Sequence, residues 1–419
     1  MKVKIEKLAY GGFGIGFLDS KPCFVPYTLP EEEVKVKITK EKKDYNECEV
    51  IDIINPSKTR INPPCKYYTV CGGCDFQHTD YANQLKFKTE ILKEQLLRIG
   101  KIKIDIDEVI PSESPFYYRN RVQFKFDGKN FGFYKRDSHQ TVDIEECFLL
   151  KEDINQLIRP IKKFLIKYGL QPSNIQIFSN KKDEKIIKFT FSEDSQILNV
   201  IPKIEIINEE VSEDIKGVSF ESGKNRIDLG QKFIFYQVNK YKFRVSIDSF
   251  FQVNLYQIPK LIEKVEEILN QKQPEKLLDF YCGVGTFSIP SGFYVKEVLG
   301  IEANESAVKD AKSNVGHNSL KNVKFLKAKA EKGIKYALDF KPDTVIFDPP
   351  RAGIGKEVIN NISKIDRLKN VIYISCNPST LARDINYFES NGFKLKSVSM
   401  IDMFPNTHHI ESVSLLERE

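Results

Sequence analysis

Two groups of cysteines in this chain have the type and setting that do chemistry. The first is a lone thiol, Cys376, in the run Ser375-Cys376-Asn377-Pro378. A thiol where the backbone turns sharply at the end of a strand can act as a nucleophile. Most single cysteines are small apolar fillers instead, so Cys376 is singled out only by what lies before and after it. The second group is a set. Five residues separate Cys65 from Cys71, two glycines separate Cys71 from Cys74, and Cys147 follows far downstream. Thiolates in such a set bind zinc or an iron–sulfur cluster, and the glycines let backbone wrap closely around a bound centre. Zinc ribbons pair two close knuckles, and only one is present. The first gap is too long for a radical-type cluster loop. Spacing alone leaves zinc and [4Fe–4S] both open.

The elements that must position Cys376 follow a regular alternation. Strands end at Leu277-Leu278-Asp279, Val298 to Glu302, Val323 to Leu326, Thr344 to Phe347 and Val371 to Ser375, with helical stretches such as residues 303–314 between them. Such alternation implies an α/β domain with a doubly wound, mostly parallel sheet, in which ligands bind beyond the carboxyl ends of the strands. Pro378 cannot continue a strand and biases Asn377 away from helix, so Cys376 falls on that edge. Asp279-Phe280-Tyr281-Cys282-Gly283-Val284-Gly285 follows the first strand. A dinucleotide fingerprint requires glycine where Ser288 stands, which disfavours NAD. Glu302 ends the second strand, placed to meet ribose hydroxyls. The combination fits S-adenosylmethionine. Asp348-Pro349-Pro350-Arg351 closes the fourth strand as a stiffened turn. Enzymes that methylate exocyclic amines carry an aromatic residue after such a proline pair. Arg351 occupies that place, so the target atom is expected not to be an amine.

Composition bounds the rest. A chain of 419 residues implies two to four domains. Its net charge of +6 is compatible with nucleic acid without requiring it. Without tryptophan, any base-stacking platform must come from Phe and Tyr. No apolar run approaches a membrane span and the first residues carry no signal segment, so the protein is expected in the cytoplasm, off the membrane, with no obligate protein partner. Residues 1–54 read as a small β-barrel, with apolar alternation in Val3-Lys4-Ile5 and Val34 to Ile38 and a glycine-rich turn from Gly11 to Gly16. Lys35, Lys37, Lys40, Lys42 and Lys43 there serve equally as a phosphate-tracking face or a guarded strand edge. Residues 81–98 read as an amphipathic helix stopped at Gly100 and packed on a neighbouring domain. Tyr118-Arg119-Asn120-Arg121, then Val122 to Phe126 and Phe131 to Arg136, form a basic, aromatic ribbon. Its rings would stack RNA bases or, as commonly, fill a core. Residues 151–240 predict a sheet with a covering helix, including a strand-like run at Ile204 to Ile207.

The glycine run, with Phe24-Val25-Pro26 and Leu29-Pro30-Glu31-Glu32, resembles the TRAM domain, an OB-like RNA-binding module. The chain as a whole resembles the TrmA/RumA family of RNA uracil-C5 methyltransferases. The shared motifs are Phe250-Phe251-Gln252-Val253-Asn254, the Asp279 to Gly285 turn, Asp348 to Arg351, Ser375 to Pro378, and Asp402-Met403-Phe404-Pro405 running to His409-Ile410-Glu411. The resemblance implies three domains: an OB-like RNA-binding barrel over 1–54, a central α+β iron–sulfur domain over 55–240, and an S-adenosylmethionine-dependent methyltransferase over 241–419. It implies that Cys376 is the nucleophile and Glu411 the general base. Gln252, Tyr281, Glu302 and Asp348 would contact the methyl donor, and Cys65, Cys71, Cys74 and Cys147 would hold a [4Fe–4S] cluster. After the third strand the family's acidic turn is replaced by Leu326-Lys327-Ala328-Lys329-Ala330-Glu331, so Glu331 is the one candidate there for the adenine. The expected substrate is 23S rRNA, with tRNA the rival. An RNA-binding iron–sulfur protein without catalysis is the alternative of another class. A cytosine-C5 enzyme would show a Pro-Cys nucleophile on the fourth strand, which this chain lacks.

Overall fold

The computed structural model describes residues 1–193 and 204–419. Six strands at the N-terminus curl into a barrel-like sheet, in the order Lys2–Lys4, Glu33–Glu41, Asn46–Asn55, Lys21–Pro26, Phe13–Leu18, Lys7–Ala9. Alternation decides its faces. Val34 and Val36 enter a core with Val3, Ile5, Cys23, Val25 and Cys48, while Lys35 and Lys37 between and beyond them are exposed.

A second sheet of seven strands runs Thr141–Asp143, Phe131–Tyr134, Arg121–Phe126, Asn174–Ser179, Lys185–Phe191, Ile215–Ser222, Asn225–Gly230. The helix Ile158–Lys167 buries Ile158, Ile161, Phe164 and Leu165 in the core it shares with this sheet. Three of the ribbon's phenylalanines go to that core, while Tyr134 lines the cavity that the four cysteines share. Phe124, Phe126 and Phe131 are buried, the Phe124 and Phe131 rings 4.8 Å apart, so these rings are not a base-stacking platform. The run at Ile204 to Ile207, expected as a strand, opens the helix Ile204–Glu210 instead. Its buried Ile207 and the partly buried Val211, just past the helix end and donating its N–H to the Ile207 carbonyl, meet the core together.

The third sheet has eight strands: Val323–Lys327, Glu297–Glu302, Lys276–Phe280, Thr344–Phe347, Asn370–Ser375, Glu411–Arg418, Phe393–Ile401, Glu108–Ile110. The first five are mutually parallel and Glu411–Arg418 enters antiparallel beside Asn370–Ser375. The helices Ile258–Lys272 and Glu305–His317 cover one face. Ala330–Phe340, Lys356–Ile362 and Pro378–Glu389 cover the other. This is the doubly wound α/β arrangement. The helix Tyr81–Arg98, capped by the Asp80 side chain, packs Phe87, Ile91, Leu92 and Leu96 into that second face, against Pro378–Glu389. The short strand Glu108–Ile110 then closes the sheet edge beside Phe393–Ile401. A segment far upstream of the sheet's first strand is thereby built into the domain that carries Cys376. Among the described residues no helix is long and apolar enough to cross a membrane.

Candidate active site and cysteine cavity

Every residue of Asn370–Ser375 is buried, and the chain leaves the sheet at Cys376, which is half-buried. The next residue caps the following helix: Asn377 Oδ1 accepts the Ser379 N–H at 3.0 Å, and Pro378 fills the first helical position where no N–H is needed. Cys376 is therefore wedged between strand and cap, with little freedom to move. Asn377 Nδ2 and Thr380 Oγ1 both donate to the Arg351 carbonyl, at 3.1 and 3.3 Å, tying this turn to the Asp348–Arg351 turn.

Antiparallel pairing supplies the second group. Ser375 lies opposite Ser412, so Glu411 arrives at the same sheet end as Cys376. Glu411 is buried, and burial together with the Asp348 charge holds its carboxyl well above the usual range. Burial likewise raises Asp348, against a 3.4 Å hydrogen bond donated by Gln252 Nε2. For Cys376, burial pushes the thiol up to about 12, Glu411 and Asp348 push the same way, and Arg351 opposes them. Cys376, Glu411, Asp348 and Gln252 thus form one electrostatically linked group.

Tyr281 and Glu302 stand along the same edge. Tyr281 sits at φ +63°, a left-handed conformation that costs a non-glycine residue on the order of 1 kcal/mol. Its N–H and that of Cys282 both donate to the Ile301 carbonyl, which holds the turn tight against the second strand. Gly283 takes φ +54°, and a Cβ there would meet nothing within 4 Å, so the turn faces open space. Glu302 is oriented by two backbone donors: Gly283 N–H to Oε2 at 3.1 Å and Asn304 N–H to Oε1 at 2.7 Å. A cavity of about 180 Å³ beside it is lined by Phe280, Tyr281, Ile301, Ala328 and Glu331, among others. Ser288 donates to the buried Asp279 at 2.5 Å. Burial nonetheless lifts that carboxyl to about 8, with Asp348 and Glu302 adding to the rise.

The four distant cysteines are brought to one place. Cys65, Cys71, Cys74 and Cys147 line a single cavity of about 770 Å³, with Arg119, Arg121, Lys125 and the exposed Phe250 on its walls. Gln77 Nε2 donates to Cys74 Sγ at 3.1 Å, and burial raises all four thiols. No three Cys, His, Asp or Glu side chains among the described residues stand close enough to hold one metal ion. A tetrahedral zinc and a four-cysteine iron–sulfur cluster both draw their thiolates together, so the placement of these side chains favours neither over the other. Arg119 is informative for a larger group. Its Nε is shielded without a hydrogen-bond partner, and no carboxylate pairs with it among the described residues. A cation left that way is costly unless an anion shares its cavity. The stretch Phe250 to Asn254 separates this cavity from the catalytic edge: Phe250 lines the one, and Gln252 reaches Asp348 at the other.

Tyr10 and Asp75 gave no sign in the sequence, and His408 and His409 were marked only as part of a shared motif. Tyr10, from the N-terminal sheet, places its hydroxyl 3.5 Å from the Cys376 carbonyl. Asp75, next to Cys74, holds His408, and His409 Nε2 lies 3.0 Å from Arg351 Nη2. Burial, then His408 and Arg351, keep the His409 imidazole down at about 3. It is therefore neutral, and Nε2 accepts from the guanidinium. Tyr10 and Cys376, and Asp75 and His408, are hundreds of residues apart in sequence, and only the fold joins them.

Residues 80–419 match the family described as tRNA (Uracil-5-)-methyltransferase, and residues 1–51 match the TRAM domain. A protein of Aquifex aeolicus named an uncharacterized RNA methyltransferase is 39% identical over 428 residues, covering 100% of this chain and 98% of that one. One of the same name from Clostridium tetani is 36% identical over 437 residues, covering 97% and 93%. Among solved structures, the Pyrococcus abyssi tRNA (uracil-54, C5)-methyltransferase in complex with S-adenosyl-L-homocysteine matches with a TM-score of 0.77 and 27% identity, over 99% of this chain and 100% of that one.

Proposed function

The chain belongs to the tRNA (uracil-5-)-methyltransferase family, and from that premise we propose that it transfers the methyl group of S-adenosylmethionine to C5 of a uridine in RNA. The observation that carries the reading is the pairing of Cys376 and Glu411 at one end of adjacent strands, beside Asp348 and Gln252.

Uracil C5 is too weak a nucleophile to take a methyl group unaided. In the proposed sequence Cys376 Sγ bonds to C6, and the C5–C6 electron pair moves toward C4 and O4 as an enolate. C5 then takes the methyl group from the sulfonium, whose carbon–sulfur bond breaks to leave S-adenosylhomocysteine. Glu411 accepts the C5 proton. The electrons of that C–H bond restore C5–C6, and the thiolate is expelled. The carboxyl held high at Glu411 is a stronger base once ionised, and it must give up its own proton as the site assembles before it can take the one on C5. The thiol at rest is neutral, so its proton must pass to solvent as the site assembles and before Sγ attacks C6. The donor's positive sulfur near Asp348 would remove one of the charges that oppose that loss. Tyr281, Glu302, Asp348 and Gln252 are proposed to hold the donor, with its adenine in the cavity bounded by Tyr281 and Glu331. A base stacked in a helix cannot reach Cys376, so the target uridine must flip out or lie in a loop.

We read residues 1–54 and the cysteine-bearing part of 55–240 as the RNA-gripping parts, and 241–419, with the helix Tyr81–Arg98 and the strand Glu108–Ile110 built into it, as the catalytic part, working in the cytoplasm. Cys65, Cys71, Cys74 and Cys147 are proposed to hold a [4Fe–4S] cluster. One cavity for all four thiols and the shielded, anion-seeking Arg119 support it. When bound, such a group would fix the cysteine loop, and iron and acid-labile sulfide assays of anaerobically purified protein test it. The substrate we favour is 23S rRNA. The likeness to a solved enzyme named for tRNA uracil-54 supports tRNA as the second reading. Incubation with 5-fluorouridine RNA tests the chemistry directly, because fluorine at C5 cannot leave as a proton. The wild-type protein should form a covalent complex that needs S-adenosylmethionine, and Cys376→Ala should form none while still binding the donor. A complex formed equally by Cys376→Ala would remove the mechanism.

A further inference from the structure

We propose that His408, clasped by Asp75 of the cysteine loop and backed by Tyr10 of the N-terminal barrel, is a positioning residue for the nucleophile turn. The proposal rests on the reading of Cys376 as nucleophile. Its geometry begins one residue after Cys74. Asp75 Oδ2 accepts both the His408 backbone N–H at 2.9 Å and a bond with His408 Nδ1 at 2.8 Å. Its other oxygen lies 3.3 Å from Arg136 Nη1. The Asp75 and Phe76 N–H groups donate to the Asn406 carbonyl at 2.9 and 3.1 Å. The cysteine loop therefore holds residues 406–408 through backbone and side chain together.

What this segment carries is the catalytic edge. His409 follows at once and accepts from Arg351 at 3.0 Å. The Arg351 carbonyl in turn accepts from Asn377 and Thr380, the residues that fix the Cys376 turn. Glu411 comes two residues later. The third body is the barrel. The Tyr10 ring meets the His408 ring edge-on at 5.7 Å, and its hydroxyl is 3.5 Å from the Cys376 carbonyl, at the outer limit of hydrogen bonding. Gly12 sits at φ +77°, and a Cβ there would fall 2.8 Å from Asp75 Cβ and 3.4 Å from His408 Cβ. The glycine turn of the barrel is thus pressed onto the clasp with no room for a side chain. Three bodies meet on one imidazole, and two short paths lead from it to the Cys376 turn, one through Tyr10 and one through His409 and Arg351.

A clasp that only glued the bodies together would affect stability and RNA binding alike. A positioning clasp acts on turnover, because a misplaced nucleophile binds substrate as well but reacts slowly. The test uses the full-length protein, S-adenosylmethionine and total RNA from cells lacking the enzyme. For His408→Ala, kcat and the rate of adduct formation on 5-fluorouridine RNA should fall at least tenfold. KM for RNA and affinity for S-adenosylhomocysteine should stay within twofold. His408→Asn, whose amide can donate from the place of Nδ1, should keep kcat within threefold of wild type. Wild-type kcat in His408→Ala, or equal losses in kcat and in both affinities, would overturn the proposal. Should His408→Ala fail to fold, Tyr10→Phe decides: a three- to tenfold fall in kcat at unchanged KM supports positioning, and no fall overturns it. A wild-type protein that neither methylates nor traps RNA would instead remove the reading of Cys376, and the two failures are told apart by that control.

Discussion

At Glu411 the fold places a carboxyl group where ionisation is difficult and useful at once. Burial and the neighbouring Asp348 hold its proton affinity high, as a base for a carbon-bound proton requires. Glutamine keeps the size of the side chain and cannot accept that proton. We therefore expect Glu411→Gln to complete attack and methyl transfer and then stall, with the enzyme accumulating as a covalent complex on unmodified RNA. Turnover should fall by about 100-fold or more, in the range of general-base contributions. The fraction of protein migrating with RNA on a denaturing gel measures it, and free methylated product at the wild-type rate would count against Glu411 as the base. Which residues were legible beforehand follows from where their information lies. Cys376 was marked by its local setting, a strand followed by Asn-Pro. Glu411 carries no mark beyond the family likeness, because its role comes from lying opposite Cys376 across a strand pair. Tyr10 and Asp75 carry no local mark, and His408 none beyond the shared motif, since their partners are hundreds of residues away.

Elements with strong periodicity were legible, and those held by tertiary contact were not. Three of the five parallel strands, Glu297–Glu302, Thr344–Phe347 and Asn370–Ser375, are rich in β-branched residues, and Lys276–Phe280 and Val323–Lys327 are legible through their place in the alternation with helices. The strand Glu108–Ile110 has only three residues and exists because the edge of Phe393–Ile401 offers it partners. Propensity cannot show that. The helix Ile204–Glu210 looked like a strand through its isoleucines, and packing overrode that preference. The helix Tyr81–Arg98 was legible as a helix, but not the ion pair beneath it. Lys88 Nζ lies 2.7 Å from Asp402 Oδ1 and 2.9 Å from the Phe404 carbonyl, with both charged side chains 1% exposed. The pair pins the helix to the segment that leads to His408 and Glu411. Lys88→Met would leave Asp402 buried and uncompensated, a loss of about 3–5 kcal/mol. The double change Lys88→Met with Asp402→Leu removes both charges and should recover part of it. Urea midpoints measure both. A loss no larger than a surface substitution gives, about 0.5 kcal/mol, would mean the pair does no more than fill space.

For the molecule as a whole, the ligand edge concentrates carboxyl groups that prefer to stay protonated. Asp279 is lifted to about 8, and Asp348 and Glu411 are lifted too, each chiefly by burial. In the unfolded chain all three titrate in the ordinary carboxylate range near pH ~4. Between that range and about pH 8 the folded protein therefore holds protons that the unfolded chain has released. Stability from these groups is fully present at the acid end of that window and is lost as pH rises through it. The unliganded protein should melt at a lower temperature at pH 8 than at pH 6. S-adenosylmethionine changes the balance, because its positive sulfur favours the ionised form of a nearby carboxylate. Its stabilising effect on the melting temperature should therefore grow from pH 6 to pH 8. S-adenosylhomocysteine has the same shape without that charge, and its effect should grow less. Thermal unfolding with each ligand at matched saturation separates the two. Equal, pH-independent shifts would mean that the donor's charge does not meet Asp348, and the methyl group would then have to be placed elsewhere along the strand ends.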